Sequence, residues 1–151
     1  MDPIINDILV TALLAWLIAQ VSKVVINATF YKIYDVKRLW GDGGMPSAHS
    51  ATVSSMACIT LLQHGIYSAL FGICCVVAII VCHDALGVRK ETEKQAILLN
   101  EIREKAEIEL SERAKKIILK ENVGHSAIEV IAGILLGIAV ACCVNRIYVI
   151  F

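Results

Sequence analysis

Three stretches of this 151-residue chain are apolar for nearly the length that a helix needs to cross a bilayer, roughly 17 to 25 residues, and that leaves few folds open. Ile4 to Val21 is broken only by Asn6, Asp7, Thr11 and Gln20, with Lys23 just beyond it. Gly65 to Cys82 carries no charge, and Ser126 to Val144 carries one, Glu129. With 58% hydrophobic and 19% charged residues, the chain lacks the polar surface of a water-soluble domain. A fourth stretch, Ser47 to Gln63, holds His49, Ser50, Thr52, Ser54, Ser55 and Thr60. It is too polar to face lipid all round and suits a helix whose polar side looks into a bundle. The expected fold is therefore all-α, a polytopic membrane bundle of about four spans (4–22, 46–63, 65–83 and 125–144) in a single membrane domain, 1–151. The first segment starts with Asp2 and Asp7 and has no small-residue cleavage pattern, so it is expected to be retained and not removed as a signal peptide.

Charge placement sets the expected sidedness. With four spans, segments 22–45 and 83–124 share one face and hold 13 of the 14 Lys and Arg residues, Arg146 being the exception. The positive-inside rule puts these loops in the cytoplasm and both termini on the opposite side. From about Glu91 to Lys120 the apolar residues Leu99, Ile102, Ala106, Leu110, Ala114 and Ile117 recur at three- and four-residue steps, which predicts one cytoplasmic amphipathic helix. Its stripe packs on its own protein, on a second copy in a homo-oligomer, or on the membrane surface. Acidic and basic residues balance at 14 each and no basic arm or stacking aromatic set is present, so nucleic acid is not an expected partner. All six cysteines fall in apolar runs, without CxxC spacing, and read as packing residues.

Three short motifs carry possible chemistry. Gly43-Gly44-Met45-Pro46-Ser47-Ala48-His49-Ser50 is a loop entering a helix: the glycines permit close backbone approach, and Pro46 suits a first turn. Free N–H groups near Ser47 and Ala48 and the positive helix end suit an anion, with His49 one turn inside. Gly124-His125-Ser126-Ala127-Ile128-Glu129 opens the last span. Its four-residue step puts His125 and Glu129 on one helix face, so the carboxylate is expected to orient the imidazole. In His83-Asp84-Ala85-Leu86-Gly87-Val88-Arg89-Lys90, Arg89 suits a bidentate grip on a phosphoryl group, with Asp84 holding it. Each motif also admits a structural reading: a capped membrane helix, a His–Glu bond between helices, a snorkelling boundary Arg89 or Lys23. The four-span topology brings Lys23, Ser47, His49, Arg89, His125 and Glu129 to one membrane face, and independent structural roles do not require that.

In combination these residues resemble the type-2 phosphatidic acid phosphatase superfamily, which includes the vanadium-dependent haloperoxidases. Gly-Gly-Met-Pro-Ser-Ala-His-Ser, Asp-Ala-Leu-Gly-Val-Arg with Lys94-Gln95-Ala96, and Gly-His-Ser-Ala-Ile-Glu-Val-Ile-Ala-Gly are similar to its divergent bacterial and plant branch, labelled acid phosphatase/vanadium-dependent haloperoxidase-related, over nearly the whole chain. The resemblance implies that His125 is the nucleophile, Glu129 its orienting carboxylate and His49 the general acid. Ser47, Ala48, Arg89 and Lys23 would bind phosphate, and Asp84, Gly44 and Gly124 would support them. It implies no metal and no cofactor. The sequence departs from the superfamily pattern in several places: a Lys followed after six intervening residues by Arg-Pro is absent, Ala48 replaces Gly, Glu129 replaces Asp, and Ile118-Leu119 stand where Ser-Arg is usual.

The expected activity is metal-independent hydrolysis of an amphiphilic phosphate monoester or diphosphate, such as a phosphatidate or a polyprenyl diphosphate, through a phosphohistidine. The expected partners are that substrate and membrane lipids. The competing reading is a non-catalytic membrane protein with a degenerate phosphatase fold that binds phosphorylated lipid or scaffolds an oligomer. A geometric test separates them: His49, Arg89 and His125 must converge on one phosphate-sized space, and a separation well beyond about 10 Å is too far for a shared group.

Overall fold

The computed structural model describes residues 6–32, 43–105, 111, 114, 117–121 and 124–150. Ile4 and Ile5 of the expected first span, Lys37 and Arg38 of the first loop, and Ala106, Leu110, Arg113, Lys115 and Lys116 of the expected insertion lie outside them. Helix α1 runs Asp7–Ile26. Asn6 caps it by accepting from Leu9 N (3.0 Å), and Asp7 in the first turn and Lys23 in the last oppose the helix dipole. It continues into a π-helical turn, Asn27–Tyr31, that ends at Lys32 in a left-handed conformation (φ 54°).

Helix α2 (Ala48–His64) is capped by Ser47 and ends at Gly65, whose φ of +78° reverses the chain. After a short turn Ser68 caps α3 (Ala69–Leu86) by accepting from Leu70 N. Past Gly87, α4 (Val88–Lys105) follows almost without pause, and α5 (Ala127–Ile150) closes the chain. The described residues contain no strand, and the protein is a polytopic helical membrane bundle. Three helical stretches among them are long and apolar enough to cross a membrane: Asp7–Thr29, Ala69–Lys105 and Ala127–Ile147.

The polar α2, 17 residues long, is the hub, packed on α1, α3 and α5, while α1 also touches α5. The core is made of small side chains, Ala15, Ala19, Ala48, Ala51, Val140 and Val144. Large apolar side chains point outward instead; Ile73, Ile79 and Ile80 of α3 are 62%, 69% and 61% exposed. That inversion is the signature of a lipid solvent, in which burying a large side chain brings no hydrophobic gain and close backbone approach decides packing.

The closest approach lies between α2 and α5. A Cβ on Gly133 would stand 3.0 Å from Ser50 Cβ and collide with the Ser47 carbonyl; one on Gly137 would stand 2.9 Å from Ser55 N and collide with Ser54 Oγ and the Ala51 carbonyl. Gly133 and Gly137 thus form a GxxxG face against the serines and alanines of α2. The hydroxyls of α2 are internally satisfied: Ser54 donates to Ser50 O (2.7 Å), Ser55 to Thr52 O (2.8 Å) and Thr60 to Met56 O (2.8 Å).

The structure differs from the expected continuous helix over 91–120. Helix α4 holds to Lys105, but 117–121 is not helical and lies along α4. A single helix of that length would carry the chain about 45 Å in one direction, whereas His125 has to return to the end of α3.

Candidate active site

The first histidine is delivered by a helix start. Gly44, at φ +99°, turns the loop beneath α1, where its Cα faces the Lys23 side chain: a Cβ there would lie 3.9 Å from Lys23 Cδ. Pro46 follows a cis Met45–Pro46 bond and precedes the cap, so α2 starts two residues later than a first-turn proline implies. Ser47 is fully buried. Its Oγ accepts from Ser50 N (3.3 Å) and Ser50 Oγ (3.1 Å), and its N–H donates to Glu129 O (3.0 Å). That N–H was expected to face an anion; it is taken instead by the first turn of α5. Ala48, 3% exposed, packs in the core, and His49 stands one residue further on.

The second histidine is delivered by backbone contacts. His125 N donates to Ala85 O (3.3 Å) at the end of α3, and Gly124 N donates to Glu93 Oε2 (3.1 Å) on α4. Gly124 admits no side chain, because a Cβ would lie 2.7 Å from both Glu93 Oε2 and Lys90 Cα. His125 is 1% exposed, and neither ring nitrogen has a hydrogen-bond partner among the described residues. A buried imidazole in that state is a group prepared for a ligand or a water.

The two rings meet edge to face, with centroids 6.0 Å apart and planes at 86°. Just ahead of the α5 apolar stretch, His125 is held below the usual histidine range, first by burial and then by the charges of Lys23, His49 and Arg89, against an upward pull from Glu129. The lowered pKa favours the neutral imidazole. Lys23 is itself 2% exposed. Arg89 Nε bonds Asp84 Oδ2 at 2.6 Å, the partnership expected from sequence, with about a third of each side chain exposed.

Glu129 behaves differently from expectation. Its Oε2 accepts from Ser126 N (2.8 Å) while Glu129 N donates to Ser126 Oγ (3.4 Å), a reciprocal capping box that starts α5. The carboxylate orients a helix end, and its action on His125 is through charge alone. The signal was present as Ser126-Ala-Ile-Glu129, a Ser-x-x-Glu before an apolar run. Glu93 had no such signal, since its partner Gly124 lies 31 residues away.

Beneath the histidines an open apolar groove of about 540 Å³ runs between α2, α3 and α5, lined among others by Ser54, Cys58, Phe71, Cys75, Cys82 and Ile134. Its near end is close to the site: Cys82 is three residues from Ala85, and Ser54 five from His49, about 7 to 8 Å along a helix. Among the described residues no three His, Cys, Asp or Glu side chains cluster to hold a metal ion.

A family model described as "Divergent PAP2 family" matches residues 4–140. An uncharacterized membrane protein of Bacillus subtilis (strain 168), YuiD, is 35% identical over 147 residues, covering 91% of this chain and 93% of that protein. No solved structure matches.

Proposed function

The chain belongs to the divergent PAP2 family, and on that premise we propose that it is a metal-independent membrane phosphatase acting on a lipid-type phosphate monoester or diphosphate. The observation that carries this reading is the His49–His125 pair, 6.0 Å apart between ring centroids, in which His125 is buried with both nitrogens unbonded. In the first step a ring nitrogen of His125 attacks phosphorus, the P–O bond to the leaving alkoxide breaks, and His49 gives that oxygen its proton. In the second, water attacks the phosphohistidine, the P–N bond breaks, His49 takes the water's proton and phosphate leaves. Lys23 and Arg89 offset the charge that builds on the equatorial oxygens. The groove supports an amphiphilic substrate, since it offers a hydrocarbon chain an apolar path that begins within two helical turns of the histidines. The reading takes α2 as a fourth span and the site as cytoplasmic, in line with the 13 basic residues on that face.

One observation favours the alternative of a lipid-binding protein without turnover: Glu129 caps α5 and does not bond the imidazole it would orient. The test is phosphate release from a panel of phosphorylated lipids in detergent with chelator present, comparing wild type with His125→Ala and His49→Ala. Release that both substitutions abolish in folded protein establishes the phosphatase. No release, or equal release from the variants, moves the assignment to lipid binding or assembly.

A further inference from the structure

Residues 117–121 and 124–125 are held against α4 and the end of α3. Arg103 donates to the Ile117 carbonyl. Asn100 clasps Leu119 from both sides, donating to its carbonyl (2.9 Å) and accepting from its N–H (3.2 Å), and it also donates to Glu121 Oε1 (2.8 Å). Glu93 Oε2 then accepts from Gly124 N (3.1 Å), while Glu93 Oε1 accepts from Lys90 Nζ (3.0 Å), and the carboxylate is largely covered. Ala85 O takes the next amide, that of His125. Residues 103, 100 and 93 are three and seven apart, so they form one stripe on one helix face.

We infer that α4 is a splint for this segment and that Glu93 is a positioning residue: by holding the Gly124 amide it fixes His125 against His49. The positioning role rests on the reading of His125 as nucleophile, whereas the splint does not. Glu93 touches no reacting atom. It acts through the backbone of a residue with no room for a side chain, so the loop has one seat on α4.

The experiment uses the full chain in detergent, as wild type, Glu93→Ala and Glu93→Gln. It measures amide hydrogen exchange over 117–126 and phosphate release from dioleoyl phosphatidate. Glu93→Ala is expected to speed exchange in 117–126 while α2 and α5 stay protected. It should lower kcat on the order of 100-fold, the cost of a misplaced reacting group, with KM little changed. Glu93→Gln keeps a carbonyl acceptor for Gly124 and is expected to restore both protection and kcat. Asn100→Ala provides a milder break of the same face and should free 117–121 first. Unchanged exchange in Glu93→Ala, or a Glu93→Gln as damaged as Glu93→Ala, overturns the splint. Faster exchange with kcat unaltered overturns the positioning role. If the wild type releases no phosphate while Glu93→Ala still frees 117–126, the phosphatase reading falls and the splint stands.

Discussion

His49 and His125 reach the same space by opposite means. His49 is set by its own helix: Ser47 caps α2, the following residues coil by local bonds, and Gly133 of α5 packs against the first turn. His125 sits before its helix begins and owes its place to two backbone amides held by α3 and α4, with Glu93 and Gly124 31 residues apart. The first arrangement is stiff because a local cap is packed closely on α5. The second depends on a distant element and is the part of the site that a change far from it can displace.

The widest break in this comparison is at the stiff half. Gly137→Val forces a branched side chain into Ser54 and Ala51, and is expected to cost about 3 kcal/mol or more and leave little folded protein, read by thermal melting in detergent. Next comes His49→Ala, which should lower release from an alkyl phosphate about 10²- to 10⁴-fold, the usual contribution of a general acid. The loss should shrink on an aryl phosphate whose leaving group needs no proton, and an equal loss on both substrates would remove His49 from the acid role. Gly124→Ala strikes the softer half: its Cβ would meet Glu93 and Lys90, so the loop must lift off α4. Release is expected to fall about tenfold, less than the full misplacement penalty, with the melting temperature little changed.

The smallest effects are shifts in pH dependence. Burial and three cationic or titratable neighbours hold His125 low, so activity is lost as pH falls through its pKa and the ring takes up a proton. Glu129→Gln removes the one upward influence and should move this acid limb to lower pH. Lys23→Met removes a downward one and should move it to higher pH. Limbs that do not move, measured as kcat/KM against pH, would detach His125 from the rate.

The same contrast explains what was legible in the sequence. Helices α1, α3 and α5 were visible as apolar runs, and α2 as a polar helix fit only for a bundle interior, because those properties are local in sequence. The Gly-Gly-Met-Pro-Ser-Ala-His stretch was readable as a loop entering a helix, and Arg89 with Asp84 as a pair. The role of Glu129 was misread because a four-residue step to His125 outweighed the three-residue step to Ser126, and the helix starts between them. The course of 117–121 was misread because its apolar spacing fits a helix, and nothing in the spacing shows that Asn100 presents both donor and acceptor to a returning backbone. Gly133 and Gly137 left a GxxxG signal that gains meaning only beside the small residues of α2.

The self-bonded hydroxyls of α2 bear on how the chain is made. As an unfolded segment α2 exposes serines, threonines and two histidines, and offers the insertion machinery a poor recognition signal; once coiled, much of that polarity is turned back on its own carbonyls. Only the short turn from Gly65 to Ser68 separates it from α3, whose run up to Cys82 carries no charge and turns large apolar side chains outward. On the proposed four-span reading, biosynthesis favours partitioning of the two as one helical hairpin, α3 as the driver and α2 as the passenger, so that a charge placed in the middle of α3 would strand α2, and His49 with it, outside the bilayer.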